Sequence, residues 1–532
     1  MSLSPGDAPA AATILAEPPT SKGTTLLMSL VDRCNPMLVR VVRQELRNRA
    51  FISIFLILLA GGAIAAMVVA AITSERASGE VSRGLFATIA FGWCFALWLA
   101  QPMGCFRAVS TERGDDTWDL LELTGLRPPK VISGLLLASL VQSLLYTSAL
   151  APFMVMAYLL RGIDLMAVFF ALVIVPLGGI AASALAVFAA CLGPNKASRA
   201  VLGGLLGLHL IGCWLGSIGI WFNMSEFTYY FASLRTGDSE AWLVTGAILN
   251  MWLGGVVLLF VLSGSLLAFR AANRSTGPRL VWWLLWLNAW CWTLIPLCSS
   301  SFSYDDWLTV QTFFACGGVA AAAVLGLFST TEDLELSPRQ ARSITKARSR
   351  RMRLIMSLLG PGAARGRLCW LAMGAASLAI GVLAWLALGT PTTHNYIDLG
   401  SLLLGAWTAF AWLAIIFTVA DFFYRGWMAD WFPSPGLRRG FTLLLIALWS
   451  LLVPIALWIV GIDQEATGLG VLSPISALVL VSQGIDTVSG VYSLFSLVGA
   501  TAVLVQLVQG LRLKITTLRV LARDEDHNPR GA

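Results

Sequence analysis

About twelve stretches of roughly 20 mostly apolar residues run along this chain, separated by connections that carry most of its charge. They fall near residues 51–72, 85–106, 131–160, 165–191, 200–222, 242–269, 280–299, 308–328, 368–389, 401–422, 441–461 and 492–511. Each matches the hydrocarbon thickness of a bilayer when wound as a helix. Of 532 residues, 57% are hydrophobic and 12% charged, so a water-soluble core is excluded and a bilayer is the fitting solvent. The 21 tryptophans suit the membrane–water interface. The expectation is an all-α polytopic membrane protein of twelve transmembrane helices, with short cytoplasmic amphipathic helices.

Lys and Arg set the orientation. With the N-terminus inside and loops alternating, about 32 of the 36 basic residues fall inside. Only Arg76, Arg83, Arg161 and Arg235 fall outside. Removing one span would break this pattern downstream, so the twelve-span count and the cytoplasmic placement of both ends support each other. The net charge of +7 does not point to nucleic acid, because the basic residues sit at the ends of apolar segments rather than in one patch. The nine cysteines lie mostly inside apolar runs, with no CxxC pair and no His partner, so they read as packing residues rather than zinc ligands or a disulfide framework. Residues 1–34 lack the basic start and cleavable apolar core of a signal peptide and read as a disordered cytoplasmic tail.

Several segments lie outside the spans. Residues 35–50, NPMLVRVVRQELRNRA, open with Asn35 as a helix cap and Pro36 at the first helical position. Val39, Val42 and Leu46 line one face and Arg40, Arg43 and Arg47 another, which predicts an interfacial helix leading into the first span. Residues 470–482, GVLSPISALVLVS, are apolar but too short to cross and read as re-entrant or interfacial. Loop 329–367 is strongly basic (Arg339, Arg342, Lys346, Arg348, Arg350, Arg351, Arg353), as suits a segment lying on anionic lipid or a partner. Loop lengths suggest two six-span halves, 35–270 and 271–532, with the longest outer loops at 223–241 and 462–491.

Little here resembles an active site. There is no GxxxxGK[ST], HExxH, GxSxG or CxxC. His209 sits mid-span, where a neutral imidazole bonded to a neighbouring helix is the plain reading and a proton relay the sharper one. His394 and His527 are in loops. Asp421 and Arg107 lie at cytoplasmic span ends, and the polar residues deeper in (Gln101, Asn250, Asn288, Gln506) are neutral. Ion-coupled transport needs titratable groups in the membrane interior. Energy for uphill transport would then enter from outside the chain, most simply from an ATPase partner.

One short stretch stands apart. Residues 111–130 read TERGDDTWDLLELTGLRPPK, with five acids between two spans. Asp115 or Asp116 can cap a helix start. Trp118, Leu120 and Leu121 offer apolar contacts, Gly125 can stop the helix and Pro128–Pro129 bars its resumption. An acidic segment suits protein docking better than the negative inner leaflet.

This arrangement resembles the type-2 ABC export permeases, in which a pattern like E-R-x-x-G-T-x-x-L-L-x-x-T-P follows span 2. Glu112, Arg113, Thr117, Leu120, Leu121 and Thr124 match it, whereas Asp116 and Gly125 stand where the family has Gly and Pro. The 35–50 lead-in and VLSPISALVL are also similar to family segments. The resemblance covers 35–270; no second copy of the motif is clear in 271–532. It implies ATP-driven export of unspecified cargo, no cofactor on this chain, ATP bound by a separate ABC ATPase subunit, and a coupling helix at 112–125. A second permease chain or a homodimer is left open. The alternatives are a secondary transporter of six-plus-six spans and a non-transporting scaffold or enzyme. For an enzyme, Asp305–Asp306 is the one tight acidic pair on the outer side.

Overall fold

The computed structural model describes residues 36–73, 79–114, 128–159, 163–193, 195–223, 228–269, 272–294, 304–333, 336–337, 340, 355–356, 359–388, 399–461, 473 and 490–527. The described elements are helical throughout, in the order α1 (Pro36–Leu46), α2 (Arg49–Thr73), α3 (Gly79–Cys94), α4 (Gln101–Gly114), α5 (Pro128–Leu159), α6 (Leu165–Leu192), α7 (Lys196–Phe222), α8 (Thr228–Thr236), α9 (Ser239–Leu267), α10 (Thr276–Leu294), α11 (Tyr304–Thr330), α12 (Ala363–Leu388), α13 (Leu399–Phe422), α14 (Pro435–Ile459) and α15 (Gly490–His527). A π-helical turn, Phe95–Ala100, joins α3 to α4 without a break, and a second, Phe423–Trp427, ends α13. Widening beside α4 has a local cause: Pro102 has no N–H to give, and the neighbouring Gln101 N–H reaches back five residues to Ala96 O.

Eleven of the described helices are long and apolar enough to cross a membrane. The expected span 280–299 is also helical, as α10, but its five tryptophans and Asn288 make it less apolar than the rest. Two expectations change. The connection 223–241, expected as a loop, contains a helix, α8, packed through Phe231 onto Phe170 of α6 with ring centroids 5.5 Å apart. Loop 329–367 is shortened at both ends, because α11 runs to Thr330 and α12 begins at Ala363. Its seven basic residues at 339–353 lie outside the described residues, as does 470–482 apart from Ser473, whose hydroxyl donates to Ser450 O at 3.3 Å.

The chain forms two compact units, Met1–Trp242 and Leu243–Ala532. The division falls near the start of α9. In the first unit, Phe86, Trp93 and Leu97 are buried against Leu150 and Met154 of α5, Val175 of α6 and Trp221 of α7. In the second, Trp370 of α12 meets Phe410 and Phe417 of α13 at 5.3 and 5.1 Å. Small residues let α11 and α12 pack closely, as membrane helices require when no hydrophobic effect drives them together. A side chain at Gly381 would meet Ala315, and one at Gly366 would strike the backbone of Ser329.

Candidate functional site

In the first unit, α1 lies across the end where α4 stops and α5 starts. Its apolar face docks through Met37, which is 6% exposed and sits on Gly134 of α5. A Cβ at Gly134 would lie 2.7 Å from Met37 Cβ and 3.0 Å from Leu38 N, so no side chain fits there. On the polar side, Arg40 pairs with Glu112 of α4 at 2.9 Å. Both groups are substantially exposed, so the pair sets register and adds at most about 1 kcal/mol. Arg43 and Arg47 point to solvent, Pro36 opens α1, and Asn35 lies outside the described residues.

Arg113 does a different job from its neighbour. Its guanidinium donates to the carbonyls of Ala190, Cys191 and Gly193 at 2.9, 2.9 and 3.1 Å. These are the last, otherwise unpaired acceptors of α6, so a cation there matches both hydrogen bonding and helix dipole. Glu112 and Arg113 are therefore spent within the chain. Asp116, Thr117, Trp118, Leu120, Leu121, Thr124 and Gly125 lie in 115–127, outside the described residues.

Beneath α1 is a cleft of about 360 Å³ between α1, α2, α4 and α5. Arg40, Glu45, Arg107 and Glu112 are among its charged lining residues, and Gln101, Ser139, Gln142 and Tyr146 among those deeper along the spans. Gln101 lies 13 residues before Gly114, so roughly 20 Å along the helix from the rim. Its amide donates to Ser139 O at 3.0 Å and Ser183 Oγ at 3.3 Å, and accepts from Ser143 Oγ at 3.2 Å. The deep polar groups are neutral, and the hydrogen bonds of Gln101 to Ser139, Ser143 and Ser183 lower the cost of holding its amide among apolar helices. If α1 is seated by Gly134, then Gly134→Val should lift it. With cysteines replacing Arg40 and Glu112, the yield of a short bis-maleimide cross-link should fall severalfold in the Gly134→Val background; an unchanged yield would contradict this packing.

The second unit holds a buried ionic cluster that the sequence did not disclose. Asp421, at the end of α13, accepts a hydrogen bond from Arg367 of α12 at 2.6 Å and is ion-paired with Arg425 of the π turn at 2.8 Å. Arg367 also donates to Gln509 Oε1 of α15 at 2.5 Å, and Arg425 to the Thr330 carbonyl that ends α11. Arg279 of α10 pairs with Glu332 at 2.9 Å, and Glu332 also accepts from Gly362 N–H at 3.0 Å. Gly362, with φ +101°, makes the turn into α12 that a Cβ would strain. Arg438 pairs with Asp333 at 2.9 Å, and the Arg439 guanidinium lies 4.9 Å from the centre of the Phe328 ring. These side chains tie together the ends of α10–α15.

His209 is exposed, and its ring lies 3.7 Å from Cys213 Sγ one turn along α7, so the expected bond to a neighbouring helix is replaced by a contact within its own. Among the described residues, no group of three or more His, Cys, Asp or Glu could hold a metal ion. Asp305 and Asp306 fall in the first turn of α11.

No family model, curated protein or solved structure matches this chain. What defines its class is therefore the architecture: a multi-pass, all-α integral membrane protein whose many long apolar helices give it a transporter-like form.

Proposed function

We propose that this chain is the membrane-spanning permease subunit of an ATP-binding-cassette exporter, energised by a separate ATPase subunit. The observation that carries the reading is the mounting of residues 115–127. Immediately before them, Glu112 is held by α1 and Arg113 is locked onto the end of α6. Immediately after them, Pro128 restarts the chain as α5, on which α1 is seated. An acidic and apolar segment hung between anchored helix ends is suited to receive force from a partner and pass it to α4, α5 and α6 together. The deeper part of the cleft between α1, α2, α4 and α5 carries the neutral polar groups Gln101, Ser139, Gln142 and Tyr146, which suits cargo passage better than ion coupling.

In this reading the chain sits in the cell (inner) membrane with both termini cytoplasmic, and ATP binds only to the partner. Export of cargo rather than catalysis is the chain's own role. Two measurements bear on it. A cysteine at Ser349 should react with impermeant maleimide only in inverted vesicles, whereas one at Ser303 should react in intact cells; reaction of residue 349 from outside would contradict the orientation. Purification from native membranes should return a stoichiometric chain with a phosphate-binding loop, while the isolated permease hydrolyses no ATP. Hydrolysis by the isolated chain, or persistent absence of such a subunit, would overturn the reading.

A further inference from the structure

Where α10 and α12 begin, the carboxylates that form ion pairs among the described residues are already matched to arginines: Glu332 to Arg279, Asp333 to Arg438, Asp421 to Arg367 and Arg425. Arg365, in the first turn of α12, is left over. It is 2% exposed and its NH1 donates to Pro361 O at 3.2 Å, but among the described residues Nε and NH2 have no partner. Arg279 reaches the same turn, donating to Gly360 O at 2.5 Å and Gly362 O at 3.4 Å, and its Nε is also unmet. A third cation is near. Gly510 of α15 backs onto Ala364 and Leu368, and Lys514 follows one turn later. Burial first, and then the positive charge of Arg365, push the Lys514 ammonium below its usual range. Three cations thus neighbour one another, and among the described residues only Arg279 of the three has a carboxylate partner, Glu332.

An uncompensated buried guanidinium is costly, and a counter-charge is the ordinary remedy. The unmet donors define its shape. Nε and NH2 form the edge of the guanidinium that grips two oxygens of a tetrahedral or planar anion. The surroundings define its source. Arg365 lies at the very start of a membrane-crossing stretch, Ala363–Leu383, at the depth of headgroups rather than acyl chains. Beside it, α15 exposes Leu504, Leu507 and Leu511, an apolar strip facing away from the bundle.

We propose that Arg365, with Arg279 and Lys514, forms a binding site for the phosphate of an anionic phospholipid headgroup, whose acyl chains run along the leucine strip of α15. The site is separate from the cleft of the first unit and does not depend on the exporter reading. It makes the folded state of the second unit sensitive to the lipid around it.

The test uses the full chain in detergent, with phosphatidylglycerol or phosphatidylcholine added, read by native mass spectrometry and thermal unfolding. Wild type should retain phosphatidylglycerol selectively and gain Tm from it. Arg365→Gln should retain it roughly tenfold less, as expected for losing charge-assisted hydrogen bonds, and should unfold no earlier than wild type in phosphatidylcholine. Lys514→Gln, at a partly exposed position, should lose part of the retention and serves if Arg365→Gln does not fold. Four results would overturn the proposal. One is equal retention of both lipids by wild type. Another is unchanged phosphatidylglycerol retention in both variants. The third is a Tm gain reproduced by millimolar inorganic phosphate, which would assign a free anion. A Tm loss in Arg365→Gln that is the same in both lipids would also overturn it, by showing that a group of the chain itself meets the guanidinium.

Discussion

Asp421→Asn should be the most damaging single substitution at the ends of the second unit's helices, costing about 3–5 kcal/mol of stability. Asp421 is 9% exposed and is the common partner of Arg367 and Arg425, themselves nearly buried. Removing its charge leaves two guanidiniums packed together with no carboxylate between them. The loss is not that of one hydrogen bond but of the group that makes both cations tolerable. The damage should spread, because Arg367 bridges α12 to α15 and Arg425 bridges the end of α13 to α11. Arg438→Gln gives the internal comparison. Its partner Asp333 is 63% exposed, so that change should cost under about 1 kcal/mol. Thermal unfolding in detergent, read on tryptophan fluorescence, should separate the two variants clearly. Similar Tm values for both would mean that the triad does not hold these helices.

Trp118→Ala is expected to act with no effect on folding and a large one on partnership. Residues 115–127 contribute to no apolar span, so membrane insertion and Tm should be unchanged. Buried aromatic anchors at protein interfaces carry about 2–4 kcal/mol, and rim charges much less. In the exporter reading, Trp118 and Leu121 fill an apolar groove on the ATPase while Asp115, Asp116 and Asp119 face basic residues around it. Glu112 takes no part, since Arg40 holds it. Trp118→Ala should therefore reduce recovery of the ATPase with the permease by at least about tenfold, whereas Asp115→Asn should reduce it only slightly. Equal recovery from wild type, Trp118→Ala and Leu121→Asp would leave 115–127 as a solvated connection.

The membrane architecture was legible because the bilayer imposes it. A helix that must satisfy its own backbone across the hydrocarbon leaves a long apolar run in the sequence, whatever its neighbours are. Even α10, diluted by five tryptophans, keeps enough Leu and Val to be found. The entry helix was legible for a related reason: Val39, Val42 and Leu46 fall on one face and three arginines on another. Tertiary contacts left no such mark. α8 was read as loop because TYYFASLRT has only a short apolar stripe, and its burial depends on Phe170 elsewhere in the chain. The Arg367–Asp421 pair joins residues 54 apart, and Gln509 completes it from 142 residues away. Asp421 was visible as an acid at a span end, but no spacing pointed to its partners. In the site, Glu112 and Arg113 were named from their motif as part of a docking helix. Their bonds to Arg40 and to the end of α6 appear only once the helices are packed, and they turn these two residues from docking candidates into anchors.

The most direct test of the exporter reading places a photo-reactive amino acid at position 118 in the full-length chain, in native membranes. Illumination should cross-link it to one other protein, and peptide mapping should place the adduct on a chain carrying a phosphate-binding loop. The same substitution at Tyr229, an exposed position on α8, should give no such adduct. Cross-links from position 118 only to lipid or to this chain itself would contradict the account.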